Sequence, residues 1–189
     1  LHDNPALDPI IEELKQQGYL RTYGISTNKF EVIKQFNIAG NCSIVELDYS
    51  LLNPKAADKI LPYCIEHNIA VLVRGPLAQG LLSGKYAADT VFTDTIRAKW
   101  HKNEAKQAKL DRDIAAVNAL AASLPPDTTM ATTALQYVIS HPAQPVAIPG
   151  AKSPQQAATN AQAGDRILSA TERTAVETAA SVAKPAFAG

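Results

Sequence analysis

Apolar and polar positions along this chain alternate between a helical period and short apolar runs. Residues 8–17 (DPIIEELKQQ) put Ile10, Ile11 and Leu14 on one side of a helix, with charged and amide side chains on the other. Asp8 stands as its N-cap, Pro9 suits the first helical position, and Gly18 supplies the stop. Residues 20–26 (LRTYGIS) predict a strand, 29–36 a helix, 43–49 (SIVELDY) a strand and 54–68 (PKAADKILPYCIEHN) a helix. Residues 69–73 (IAVLV) are apolar without a break, the pattern of a strand buried on both faces. Two further helices are expected over 111–123 and 129–141, and a last short strand at Val146.

Strand then helix, repeated, describes right-handed βα units and hence a parallel sheet, as a barrel or as an open doubly wound sheet. The regular rhythm favours the barrel. An open sheet would place a glycine-rich phosphate loop after its first strand, and no GxGxxG occurs. The rhythm breaks only between Val73 and Val146, where residues 84–110 are largely polar, irregular and studded with aromatics. After a barrel strand such an insertion sits at the C-terminal face, so a lid or binding loop is expected, with a passive surface excursion as the alternative.

The stretch 145–160 (PVAIPGAKSPQQAATN) carries the clearest local chemistry. Val146, Ala147 and Ile148 read as a strand that Pro149-Gly150 stops, and Ser153 and Pro154 then open a helix. Free N–H groups and the positive helix end attract an anion there, and Lys152 adds a full charge. The alternative is an ordinary turn with a surface lysine.

Composition narrows the function classes. With 189 residues, 46% hydrophobic, the chain can bury a sizeable core as one domain or as a piece of a larger one. Basic and acidic residues balance at 18 each, which leaves no global field to recruit nucleic acid or an anionic membrane. No apolar run is long enough to span a bilayer, and no signal-peptide pattern occurs. Cys42 and Cys64 lack metal or CxxC spacing and read as buried free thiols of a reducing, cytoplasmic compartment. The chain opens Leu1-His2-Asp3 without an initiator methionine, as though cut from something longer.

Chemistry in such barrels gathers at the strand ends. There the sequence offers His2, Ser26 and Thr27, then Glu46 and Asp48, Arg74 with Gly75 and Pro76, and finally Gly150 and Lys152. Glu46 and Asp48 share a strand face, but spacing alone gives them no acid–base role.

The segments LHDNP, GYLRTYGIST, IVELDYSLLN, ILPYCIEHNIAVLVRGPLAQGLLSGKY and AIPGAKSPQQAATN, in this order and at these distances, resemble the C-terminal half or more of an aldo-keto reductase. The resemblance covers Leu1 to about Ala163. It implies part of a (β/α)8 TIM barrel, NADP(H) as cofactor, a small carbonyl substrate and no metal. His2 matches the histidine that orients and polarises the substrate carbonyl, and Ser26 the serine that bonds the nicotinamide carboxamide. Thr27 stands where many members carry asparagine, Glu46 where they carry glutamine, and Arg74 where many carry an aromatic that stacks on the nicotinamide. Pro76, Leu77, Gln79, Gly80 and Leu82 match the loop along the pyrophosphate, and Ile148 and Gly150 belong to the cofactor-facing end of the last strand. Lys152 matches the residue facing the 2′-phosphate, Gln156 and Asn160 lie toward the adenine, and Thr159 replaces a frequent glutamate.

In that family the catalytic tyrosine, lysine and aspartate come from earlier strands, which this sequence does not contain. The enzyme reading is therefore a reductase fragment that contributes most of the cofactor site, with catalysis supplied by a complementing N-terminal half. The alternative is a binding module, an NADP-binding or self-associating half-barrel, since these strands alone cannot close a barrel and would expose open edges and an apolar inner face. An incomplete gene without activity of its own is the third reading. The tail 168–189 is expected to form a helix, begun by a Ser169-x-x-Glu172 capping box and ended by Pro185.

Overall fold

Val45 and Leu47 on one strand, and Val71 and Val73 on the next, are almost wholly excluded from water, while Glu46, Leu72 and Arg74 between and beyond them are not. This alternation divides the sheet into a face covered by helices and a face that is open. The computed structural model describes residues 7–87 and 89–181. His2 and Pro185, both singled out in the sequence, lie outside the described residues.

The described chain runs α1 (Leu7–Gln16), β1 (Gly24–Ser26), α2 (Phe30–Phe36), β2 (Ile44–Asp48), α3 (Ala56–Glu66), β3 (Ala70–Arg74), α4 (Glu104–Ser123), α5 (Met130–Ile139), β4 (Val146–Ala147), α6 (Pro154–Gln162) and α7 (Ala170–Ser181). Short 3-10 turns lie at Ala78–Ser83, Arg97–His101 and Ala163–Asp165. The strands form a four-stranded sheet in the order β1-β2-β3-β4, parallel throughout. Consecutive strands are neighbours, as successive βα units require.

The helices follow from their apolar spacing and caps. Helix α3 buries Ala56, Ile60, Leu61 and Cys64, one stripe at helical spacing, against the sheet. Gly18, at φ +80°, takes the left-handed conformation that ends α1. Helix α1 already includes Leu7 and Asp8, so Asp8 lies inside its first turn and is not the cap. Helix α4 begins at Glu104 and not near Asp111, because the Asn103 side chain accepts the Lys106 N–H at 3.0 Å. Strong helix formers between Asn103 and Leu110 carry it before any core contact begins. The capping box is present, with Ser169 Oγ accepting the Glu172 N–H at 3.2 Å and Glu172 accepting the Ser169 N–H at 2.8 Å.

The main core lies between the sheet and its helices and joins Val45, Leu47, Tyr49, Leu61, Val71, Val73, Leu120, Tyr137 and Val138. Cys42 and Cys64 are buried free thiols within it, and burial pushes the Cys64 thiol up to about 11. A second, smaller core around Leu81, Phe92, Leu110 and Ile114 supports the loop after β3.

Helix α7 is fastened by a closed ring of polar groups. Arg173 donates to Tyr49 Oη at 2.8 Å, Tyr49 donates to Tyr137 Oη at 2.9 Å, and Tyr137 donates to Glu177 at 3.0 Å. Glu177 pairs back with Arg173 at 2.9 Å. Burial drives both phenols well above their ordinary range, so they act here as hydrogen-bond relays that keep their protons.

The opposite face of the sheet has no covering layer among the described residues. Val146 and Ile148 lie on it, 57% and 47% exposed, and β1 and β4 are its edges.

Candidate cofactor site

In a parallel sheet each strand delivers its C-terminal end, and the loop after it, to one rim. That rim collects Ser26 and Thr27 after β1, Glu46 and Asp48 at the end of β2, Arg74 and Gly75 after β3, and Ile148, Gly150 and Lys152 after β4. These are the positions that the sequence pattern singled out.

At the centre of the rim, Ser26 is in register with Glu46, and the Thr27 N–H prolongs the ladder by donating to the Glu46 carbonyl at 2.9 Å. The Thr27 hydroxyl turns back to accept the Lys29 N–H at 3.2 Å. Asn28 reaches further across. Its Oδ1 accepts the Asp48 N–H at 2.8 Å and a guanidinium N–H of Arg74 at 3.3 Å. Arg74 Nε stands 3.9 Å from the Glu46 carboxylate, on the open face. Asp48 is engaged elsewhere, accepting the Asn53 amide at 3.0 Å and lying so close to Gly75 that a Cβ there would meet it at 2.9 Å. Glu46 and Asp48 thus share a face but serve different partners, and no acid–base couple results.

The loop after β3 owes its shape to a run of left-handed conformations, Gly75 at φ +66°, Ala78 at +47°, Gln79 at +54° and Gly80 at +96°. The turn closes on itself, the Ala78 N–H donating to the Gly75 carbonyl at 2.8 Å and the Gly80 and Leu82 N–H groups to the Leu77 carbonyl at 2.9 and 3.2 Å. Leu77, Gln79 and Gly80 line this turn, while Pro76 and Leu82 are buried beneath it and act as its anchors.

Arg97, which the sequence pattern did not single out, closes over this turn. Its guanidinium bonds the Tyr86 hydroxyl, pairs with Asp94 at 2.7 Å, and lies over the rings of Tyr86 and Phe92 at 5.2 and 5.0 Å. A Cβ on Gly80 would meet Tyr86 at 3.5 Å and Arg97 at 3.9 Å. The backbone N–H of Arg97, with the guanidinium itself, holds the Asp94 carboxyl below its ordinary range. Residues 89–103 are therefore a braced loop, with Trp100 against Phe92 at 5.0 Å. Asn28 and Arg97 both escaped the sequence reading because only folding brings them to the rim. The one local signal was the Asp94-x-x-Arg97 spacing.

Beyond β4, the Ile148 N–H still pairs with the Val73 carbonyl at 2.9 Å. Ser153 caps α6 by accepting the Gln156 N–H at 3.2 Å. The Gln156 side chain accepts the Lys152 N–H at 2.7 Å, and the Asn160 amide donates to the Gly150 carbonyl at 3.4 Å. Gln156 and Asn160 thus hold the turn that carries Lys152, whose side chain is exposed and makes no ion pair among the described residues. Among the described residues no cluster of His, Cys, Asp or Glu could hold a metal ion, and no helix is long and apolar enough to cross a membrane.

Known proteins share this fold. The chain is similar to an aldo-keto reductase of Bacillus halodurans in its holo form, 31% identical, with a TM-score of 0.73 over 95% of this chain and 57% of that one. It is also similar to an aldo-keto reductase of Klebsiella pneumoniae in complex with NADPH, 25% identical, with a TM-score of 0.62 over 94% of this chain and 54% of the other. Among curated proteins, the oxidoreductase YqkF of Bacillus subtilis is 32% identical over 157 residues, which cover 82% of this chain and 48% of that protein. The chain therefore spans about half the length of the relatives it matches. The sheet and helices correspond to part of the TIM barrel of those reductases. The sequence model of the aldo/keto reductase family matches residues 5–180, and this chain belongs to that family.

Proposed function

We propose that the chain carries the cofactor-binding part of an NADPH-dependent reductase of small aldehydes and ketones. The observation that carries this reading is the delivery, to one rim of the parallel sheet, of the turn after β3 with Arg74 before it and of the capped start of α6 with Lys152, which makes no ion pair among the described residues. Such a donor set suits a long, multiply charged anion. A side chain on Gly150 would meet nothing within 4 Å, so the approach to the α6 turn is open.

On this reading the turn formed by Leu77, Gln79 and Gly80, under Arg97, receives the pyrophosphate. Lys152 takes the 2′-phosphate, with Gln156 and Asn160 shaping the adenine end. Ser26, Thr27 and Glu46 meet the carboxamide, and Arg74 lies against the nicotinamide ring. The bound cofactor supplies hydride to the substrate carbonyl, whose oxygen then needs a proton. The tyrosines at 49 and 137 are locked in the α7 ring, Tyr63 accepts from Asn37, Tyr23 donates to Glu12 and Tyr86 is held by Arg97. These five hydroxyls are engaged with other side chains, and the proton donor is assigned to a complementing part that resembles the other half of the relatives, with His2 orienting the carbonyl.

Titration with NADPH and NADH, read from the single Trp100, tests the site. NADPH is expected to bind more tightly than NADH, and Lys152→Ala to abolish that difference, a loss of about 1–2 kcal/mol for a charge-assisted contact. Absence of binding, or a preference that survives Lys152→Ala, refutes the assignment. The open sheet face, with Val146 and Ile148 exposed, favours a second reading in which two copies join into one barrel. Sedimentation of the chain at increasing concentration distinguishes them, since a monomer that binds NADPH excludes the dimeric reading.

A further inference from the structure

Two of the rim positions, Glu46 and Arg74, meet each other in space, their side chains 3.9 Å apart on the open face. The sheet register explains why. Glu46 is opposite Leu72, and Arg74 is two residues further along the same strand, so the pair lies on a diagonal of one face. Asn28 fixes the guanidinium from the far side by accepting from it at 3.3 Å. The remaining carboxylate nearby, Asp48, is turned to Asn53 and to Gly75. Among the described residues, the open face at this end of the sheet thus carries Arg74 with two carboxylates, Glu46 beside its guanidinium and Asp48 held by the Asn53 amide, with Ser26, Leu72, Val146 and Ile148 around them.

We propose that the Glu46–Arg74 pair sets which oxidation state of the nicotinamide this chain holds more tightly. This inference rests on the reading above that Arg74 lies against the nicotinamide ring. An oxidised ring carries a positive charge and a reduced ring carries none. A guanidinium beside it therefore favours the reduced form, and a carboxylate favours the oxidised form. In the pair the two fields oppose each other, so removing either partner unbalances the site in a predictable direction. The charged pair gives the chain a control over cofactor redox state that depends on two side chains.

Both groups are partly exposed, with side-chain exposures of 45% for Arg74 and 36% for Glu46, so solvent weakens their fields. Each substitution is expected to change the ratio of Kd for NADP⁺ to Kd for NADPH about threefold to tenfold, tenfold corresponding to about 1.4 kcal/mol. Glu46→Gln leaves Arg74 uncompensated and raises that ratio. Arg74→Met leaves Glu46 uncompensated and lowers it. The double variant returns toward the starting value. Both side chains are off the core, so thermal melts should superimpose on that of the parent and exclude misfolding.

The measurement is a calorimetric or Trp100-fluorescence titration of the chain and its three variants with each form of the cofactor. Opposite shifts in the two single variants support the proposal. Two forms that both bind, with a ratio unmoved by either substitution or moved in the same direction by both, overturn it and leave the cofactor-site reading standing. Failure of the parent chain to bind either form overturns that reading and the proposal with it.

Discussion

Replacing Tyr49 with phenylalanine isolates the polar ring that fastens α7. Phenylalanine keeps the buried ring, its packing and the offset stack on Tyr137, whose centroid lies 5.5 Å away at 29° between planes. Only the hydroxyl is lost. That hydroxyl accepts from the Arg173 guanidinium at 2.8 Å and donates to Tyr137 at 2.9 Å. A hydrogen bond from a charged donor contributes about 1.5–3 kcal/mol and a neutral one about 0.5–1.5 kcal/mol, so the expected loss is about 2–4 kcal/mol. The lower part of that range is favoured because the guanidinium nitrogen that donates to Tyr49 keeps its pair with Glu177 at 2.9 Å, although Arg173 Nε is already buried without a partner. The assay is urea denaturation followed by far-UV circular dichroism, with Tyr63→Phe as the control. Tyr63 only accepts from the Asn37 amide at 3.1 Å at a half-buried position, so its loss should cost about 1 kcal/mol or less. A Tyr49→Phe loss no larger than the control would refute the idea that the ring of donors holds α7.

Two further outcomes follow from single contacts. His141 is buried, and desolvation first, then the nearby Arg173 charge, lower its pKa from 6.5 to about 4. Between those values the unfolded chain binds the proton and the folded chain does not, so stability falls as pH drops through that window. Urea midpoints measured across it should fall more steeply in the parent than in His141→Gln, and equal slopes would contradict the assignment. Asn103→Ala removes the side chain that accepts the Lys106 N–H at 3.0 Å and should cost about 1 kcal/mol in the same denaturation assay, with Asn103→Ser largely restoring it.

Most of the fold was legible because its elements are written in local chemistry. The stripe Ala56, Ile60, Leu61 and Cys64 and the Ser153-Pro154 helix start each satisfy one rule that needs no distant partner, whereas the IAVLV run marked a strand but not its burial, since Val71 and Val73 are buried and Ala70 and Leu72 on the other face are not. The element order then implied parallel βα units, and the sheet has them. Where the reading missed, the cause was equally local. The six residues Glu104–Lys109 have good helix propensity but no apolar stripe, so a reading that began the helix at residue 111 missed them together with the buried Leu110.

The candidate site divides differently. The sequence by itself determined which residues stand at strand ends, because alternation and strand length fix which positions reach a rim. It also fixed the chemistry of the α6 start, where cap, proline and lysine are neighbours in the chain. Only the tertiary structure decided who meets whom across that rim. Asn28 reaches Asp48 and Arg74 from the loop after β1, Arg74 lies beside Glu46, and Arg97 packs over Gly80 from a loop further along the sequence. Such pairings depend on strand register and on how a long loop folds back on its own aromatic residues. Neither quantity is carried by any short stretch of chain, since register is set by burial of Val45, Leu47, Val71 and Val73 in the main core and the loop by burial of Phe92, Leu81 and Ile114 against one another.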